Sequence, residues 1–162
     1  MKKKIFTSLG LMSGTSMDGV DLSIIKSDGY DEFSSVFNDY KEFDDEIYQE
    51  LTNLRDKILN VNDLKVHLDI LKDLDRKFTL FNAKIISEIT NNFVEEVDLI
   101  GFHGQTIFHN SNLKVSKQLG DGKLLSSLTK KIVIKNFRQN DLNHGGEGAP
   151  LTPIFHNLIS KL

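Results

Sequence analysis

Three stretches of this sequence combine glycine with hydroxyl, amide, imidazole or guanidinium groups at spacings that could do chemistry. The first is Ser13-Gly14-Thr15-Ser16-Met17-Asp18-Gly19-Val20-Asp21, small residues and hydroxyls with acids, bracketed by Gly14 and Gly19. A glycine-rich turn leaves backbone N–H groups free, and such groups beside Ser and Thr hydroxyls suit a phosphate chain. Gly14 and Gly19 are expected to take positive φ or to let the backbone approach phosphate closely. The second stretch is His103-Gly104-Gln105-Thr106. It offers the mixed donors and acceptors that a sugar needs, because each sugar hydroxyl both donates and accepts. In the third, Asn136-Phe137-Arg138-Gln139-Asn140-Asp141 precedes a run from Gly145 to His156. Arg138 there can grip a carboxylate with two parallel hydrogen bonds. Each stretch also has a plain structural alternative: an ordinary hairpin turn, a polar turn capping its own backbone, or a surface salt bridge beside a flexible loop.

The elements that must position these groups follow from the hydrophobic pattern. Apolar residues on both sides of the first stretch make Ile5 to Ile25 a β-hairpin, and Phe33 to Tyr40 reads as a third strand after a Ser27-Asp28-Gly29 turn. Ile47, Leu51, Leu54 and Ile58 then recur at helical spacing, which predicts a helix from about Asp44 to Leu59. Asn62 or Asp63 can cap a second, longer helix with the stripe Leu64, Leu68, Leu71, Leu74, Phe78, Phe81, Ile85 and Ile89. Val97 to Phe102 reads as a strand running straight into His103. A short helix from about Gly120 to Thr129, a strand from Lys131 to Phe137, a loop from Asp141 to Gly148 and a last helix started by Pro150 or Pro153 complete the order. A meander followed by alternating helix and strand predicts an α/β fold with a mixed sheet and helices on its faces. Ligands of such sheets sit at the carboxyl ends of strands, where the hairpin loop, His103 to Thr106 and Arg138 to Gly148 are all expected to lie.

Bulk properties narrow the class. A chain of 162 residues suits one domain, and a net charge of −3 gives no basic patch for nucleic acid. The absence of cysteine excludes a disulfide scaffold and a thiolate zinc site. Lys2-Lys3-Lys4 is followed by a run too short and too interrupted for a signal peptide, and no apolar run approaches membrane-spanning length. The expectation is a cytoplasmic protein.

The string from Ser13 to Asp21 resembles the ATP-phosphate loop of the anhydro-N-acetylmuramic acid kinases. These are bacterial cell-wall-recycling enzymes of the sugar kinase, heat-shock ATPase and actin superfamily. Gly101-Phe102-His103-Gly104-Gln105-Thr106-Ile107 resembles the family's second signature, and the two segments from Asn136 to His156 its third. Lys117-Gln118-Leu119-Gly120-Asp121 resembles a family segment near the sugar. The segments occur in the family's order and at about its spacing, so the resemblance covers the whole chain.

The resemblance implies a ribonuclease H-like fold, ATP and Mg²⁺ as cofactors, and phosphate contacts from Ser13, Gly14, Thr15, Ser16, Met17, Asp18, Gly19, Val20 and Asp21. It places His103, Gln105, Thr106 and Arg138 on the sugar, with Asp141 as a weaker candidate. Met12 stands where sugar kinases carry a magnesium-binding Asp. That leaves Asp18 or Asp21 nearest a hydrated Mg²⁺ and weighs against a ribonuclease H-type nuclease. The implied reaction opens the anhydro ring of 1,6-anhydro-N-acetylmuramic acid with water and phosphorylates O6 from ATP. The product is N-acetylmuramic acid 6-phosphate.

Family members are more than twice as long and have two lobes, with ATP between them. Their general base lies in an Asp-Thr-Gly-Pro-Gly-Asn segment that has no counterpart here. The chain therefore reads as one incomplete, N-terminal lobe with no catalytic residue of its own. It could be a truncated product, one chain of a split enzyme that meets a C-terminal lobe in trans, or a remnant. The full-length family implies a homodimer, with neither nucleic acid nor membrane as partner. A non-catalytic sugar- or nucleotide-binding module and an interaction protein with an uncovered apolar face are the rival classes.

Overall fold

A computed structural model describes residues 4–160, so Lys2 and Lys3 of the N-terminal lysine run lie outside the described residues. The fold is a mixed sheet with its helices in two groups. Strands β1 (Phe6–Ser13), β2 (Gly19–Ser27) and β3 (Phe33–Glu42) form the expected antiparallel meander. Helices α1 (Asp45–Lys57), α2 (Asp63–Val66) and α3 (Leu68–Asn92) lead to β4 (Leu99–Asn110), which pairs parallel to β1. Then come β5 (Val115–Leu119), α4 (Gly122–Thr129), β6 (Ile132–Ile134), α5 (Phe137–Asn143) and α6 (Pro153–Ile159). The sheet runs β3-β2-β1-β4-β5, and β6 pairs parallel to the first residues of β4. This is the mixed sheet that the sequence pattern implies.

Leu9, Leu11, Leu22, Ile24, Ile100 and Phe102 alternate onto one face of the sheet and are buried there. The α3 stripe, including Leu71, Leu74, Phe78, Ile85, Ile86 and Ile89, packs into the same core. Stacked rings of Phe78 and Phe102, 6.0 Å apart, join helix to sheet. Each such side chain contributes roughly 1.5–3 kcal/mol when fully buried. α1 starts where the sequence places it, because the Asp44 side chain accepts the Ile47 N–H at 2.8 Å.

Five features depart from the sequence reading. The strand expected from Lys131 to Phe137 keeps only Ile132–Ile134, because Asn136 turns left-handed (φ +66°) and Phe137 starts α5. The long helix is broken at His67 into α2 and α3; Asn62 makes no side-chain cap, and Asp63 instead accepts the N–H groups of Leu59 and Asn60. β5 is a strand that the sequence pattern did not predict, since only Ser116 and Leu119 of Val115-Ser116-Lys117-Gln118-Leu119 are buried. His103 to Thr106 lie inside β4 rather than beyond its end, because β4 continues as an antiparallel partner of β5 after its parallel pairing with β1 stops. Arg138 and Asp141 sit on α5, a short helix where part of a loop was expected.

The passage from one pairing to the other is made at Gly104. Its φ is +77°, and the β1–β4 register shifts between Leu11 and Ser13, so that Ser13 stands opposite Gln105. The extra residue moves the buried face of β4 from Phe102 to Gln105 and Ile107.

Candidate functional site

The phosphate-type loop closes as a tight turn. The Met17 N–H donates to the Gly14 carbonyl at 3.3 Å, and Thr15 and Ser16 are exposed between them. The positive φ expected of the glycines falls on Met17 instead (φ +60°), whose side chain is only 1% exposed and plugs the core. Gly14 has room for a Cβ and does not take a positive φ. Gly19 is needed for a different close approach: a Cβ there would lie 2.5 Å from the Lys41 carbonyl and from the Tyr40 hydroxyl. The close neighbour at Gly19 is therefore strand β3.

Asp18 is exposed in this turn and accepts the Ser16 hydroxyl at 2.6 Å. That hydrogen bond first, then the loop's own N–H groups and the Tyr40 hydroxyl, hold its carboxyl below the usual range. Asp21 is also exposed, while Val20 is buried. An ionised, solvent-facing Asp18 beside exposed hydroxyls fits the donor set that a hydrated magnesium ion takes. Tyr40 was not singled out from the sequence. Nothing in the alternation of β3 distinguishes it, and only the strand pairing brings it to the loop.

The second group gathers where β4 meets α5. Arg138 Nε donates to His103 Nε2 at 2.8 Å, and Arg138 Nη1 donates to the Gly148 carbonyl at 2.8 Å. His103 Nδ1 lies 2.7 Å from the Gly104 carbonyl. With Nε2 accepting, Nδ1 carries the proton, so the ring is neutral. Burial lowers the His103 pKa, and the Arg138 charge lowers it further against the opposing Gly104 carbonyl. Nη2 of Arg138 has no partner among the described residues. Asp141 Oδ2 accepts the Gly148 N–H at 2.8 Å and so braces the glycine loop. A cavity of about 470 Å³ is lined by His103, Phe137, Asn140, Asp141, His144 and Leu151. A second, of about 700 Å³, shares His103 and Phe137 and reaches Met12 and Asp21 of the hairpin. Both volumes fall in the range of small-molecule sites. Phe137 and His144 were not singled out as site residues.

Two of the expected sugar residues lie elsewhere. Gln105 is 0% exposed, with its amide bonded to Ser13 and Gly14, so it does not face a ligand as expected. The bulge at Gly104 is the reason, since it turns Gln105 onto the core face. Thr106 accepts Gln118 Nε2 at 3.2 Å across the β4–β5 pair and lines neither cavity. The segment from Lys117 to Asp121 is tied to α3: the Gly120 N–H donates to Asp75 and the Asp121 N–H to Thr79, each at 2.8 Å.

Titration of His103, followed by its ring-proton shifts, is expected to give a pKa below the ordinary 6.5. Arg138→Ala is expected to move it upward, because desolvation and charge repulsion are both relieved. Since the unfolded chain holds its proton to a higher pH, the stability contributed by neutral His103 is full above about pH 6.5 and is lost as pH falls toward the folded-state value. A variant titrating at the wild-type value would show that Arg138 does not set the state of the ring.

Comparison with known proteins adds an independent line. The family profile described as anhydro-N-acetylmuramic acid kinase matches residues 6–161. An anhydro-N-acetylmuramic acid kinase of Pelagibacter ubique (strain HTCC1062) is 59% identical over 157 residues, which are 97% of this chain and 42% of that protein. The Agrobacterium fabrum protein of the same name is 34% identical over 164 residues, covering 97% of this chain and 43% of its own. The Brucella canis protein of that name is 35% identical over 160 residues, covering 94% and 42%. The chain thus spans less than half the length of these curated relatives. With the match running through all the segments described above, this chain belongs to the anhydro-N-acetylmuramic acid kinase family.

Proposed function

We propose that this chain is the N-terminal lobe of an ATP-dependent anhydro-sugar kinase and binds the phosphates of ATP and the sugar. The substrate is 1,6-anhydro-N-acetylmuramic acid, handled in the cytoplasm during peptidoglycan recycling, and water opens the anhydro ring as O6 is phosphorylated. The observation that carries this reading is the placement of two ligand-type groups on neighbouring strands. The turn from Gly14 to Asp18 ends β1, and the His103–Arg138 pair stands on the adjoining part of β4 and on α5.

The exposed Thr15 and Ser16, between the Gly14 and Met17 ends of the turn, receive the phosphates through their N–H and hydroxyl groups. Asp18, kept ionised by Ser16 and Tyr40, and the nearby Asp21 hold the hydrated Mg²⁺. That ion, when bound, neutralises charge on the phosphates during transfer. Met17 and Val20 shape the turn from within the core. Arg138 keeps His103 neutral and oriented and offers its Nη2 to the lactyl carboxylate of the sugar. Asp141 shapes the glycine loop beside it. The general base is supplied by a C-terminal lobe, in trans where it is a separate chain, and the assembled enzyme is a homodimer.

The test is Arg138→Ala, with calorimetric titration against the anhydro sugar and against an ATP analogue, alone and with a relative's C-terminal lobe. Loss of one charged hydrogen bond, about 1.5–3 kcal/mol, weakens sugar binding by more than about tenfold and leaves the nucleotide nearly unchanged. Equal losses for both ligands would make the arginine structural. No sugar binding by the wild type in either setting overturns the reading.

A further inference from the structure

We infer that Gln105 is a positioning residue for the phosphate loop, acting through Ser13 and Gly14 and making no contact with the sugar. The inference rests on the proposed phosphate-binding role of the turn and names the group that fixes its geometry.

β1 and β4 run side by side from Ser8–Leu99 to Leu11–Phe102, lose register at Gly104, and meet again at Ser13–Gln105. That last pair sits where β1 gives way to the loop. The Ser13 hydroxyl lies 2.5 Å from Gln105 Oε1 and 2.8 Å from the Gly19 carbonyl. Gln105 Nε2 donates to the Gly14 carbonyl at 2.9 Å. A carbonyl can only accept, so the nitrogen has to face Gly14, and the orientation of the amide is fixed. One planar, fully buried group therefore holds two consecutive residues at the mouth of the loop.

The Gly14 carbonyl is also the acceptor of the Met17 N–H that closes the turn. The turn is thus pinned at one end by Gln105 and at the other by the buried Met17 side chain. Thr15 and Ser16 are the exposed residues between these anchors. A nest of N–H groups binds phosphate well only when they converge beforehand, and a loop held at both ends converges at less entropic cost. The same β4 stretch holds His103 through the Gly104 carbonyl, so the loop and the imidazole share one rigid support.

Gln105→Met separates positioning from folding. It keeps the side-chain volume, leaves Ser13 its Gly19 partner, and leaves Gly14 the Met17 N–H, so no buried polar group is stranded. The variant is expected to keep the wild-type circular dichroism. Amide exchange at Thr15 to Asp18 should rise about tenfold, with β1 and α3 unchanged. Affinity for Mg–ATP and for inorganic tripolyphosphate should fall about tenfold, the worth of two ordinary hydrogen bonds, while affinity for the anhydro sugar stays within about twofold. Ser13→Ala added to Gln105→Met should cost little more than either alone.

Unchanged exchange in the turn overturns the inference, and so does a loss confined to the sugar. If the wild type binds neither Mg–ATP nor tripolyphosphate, the phosphate-binding reading fails, and the exchange measurement still decides whether Gln105 holds the turn. Should Gln105→Met not fold, Gln105→Leu carries the test, since it also removes both amide contacts. Faster exchange at Thr15 to Asp18 supports the strap, and wild-type exchange sinks it.

Discussion

Purified residues 1–162 are expected to transfer no measurable phosphate to 1,6-anhydro-N-acetylmuramic acid, and to gain activity when a C-terminal lobe from a relative is supplied. Three carboxylates stand at the candidate site, and Asp21 is assigned with Asp18 to the hydrated Mg²⁺. Asp18 belongs to the turn and Asp141 accepts the Gly148 N–H. His103 has both ring nitrogens engaged, so it offers no free base. General base catalysis contributes roughly 10²–10⁴-fold. A site open to water also screens the charges that would stabilise the transferring phosphoryl group.

These effects compound, and the chain alone should fall below ordinary detection. Exposed apolar residues at Met12, Ile132, Ile134, Phe137 and Phe155 offer a second lobe a surface to bury. Recovery should therefore rise with the concentration of added lobe. The assay follows phosphate transfer with each piece alone and with both mixed. Robust turnover by 1–162 alone would place the general base within this chain. Failure of a folded mixture would favour the non-catalytic reading.

The second large effect is on stability. Gly104→Ala is expected to cost about 3 kcal/mol or more, from a left-handed backbone and a steric clash together. Gly104 has φ +77°, and a Cβ there would lie 2.1 Å from the Leu119 carbonyl oxygen, a backbone atom of the paired strand. Neither strand can give way freely, because Gln105–Leu119 pairing continues the sheet at that point. For a chain of this size the loss lowers the melting temperature by roughly 6–12 °C. Thermal unfolding checks it, with Gly29→Ala as the control, since Gly29 has positive φ but open space around it. An equal, small loss at both sites would mean that the close approach at Gly104 is unimportant.

Much of the architecture was legible in the residues. The alternation around Gly14 to Gly19, the spacing of Ile47, Leu51, Leu54 and Ile58, and the α3 stripe are local signals, carried by neighbours within a few positions. They gave the meander, α1 and most of α3 with nearly the bounds observed. The break at His67 was not legible, because no proline or glycine marks it and the Asp63 side chain turns back to Leu59 and Asn60 instead of capping forward. β5 was missed for a related reason: its polar alternation looks like a loop until β4 supplies a partner.

The candidate site divides along the same line. The sequence by itself determined the kinds of groups present, their order, and the family to which they belong, since motif identity needs only residue types and spacing. Which way those groups point was decided by the tertiary structure. One extra residue at Gly104 turned Gln105 from the expected ligand face to the core, where it meets a loop 91 residues away in the chain. Arg138 found His103 at a separation of 35 residues and fixed its proton on Nδ1. The physical reason is that a side chain's face follows from strand pairing, and its protonation from what burial removes and what a distant charge adds. Local sequence encodes neither.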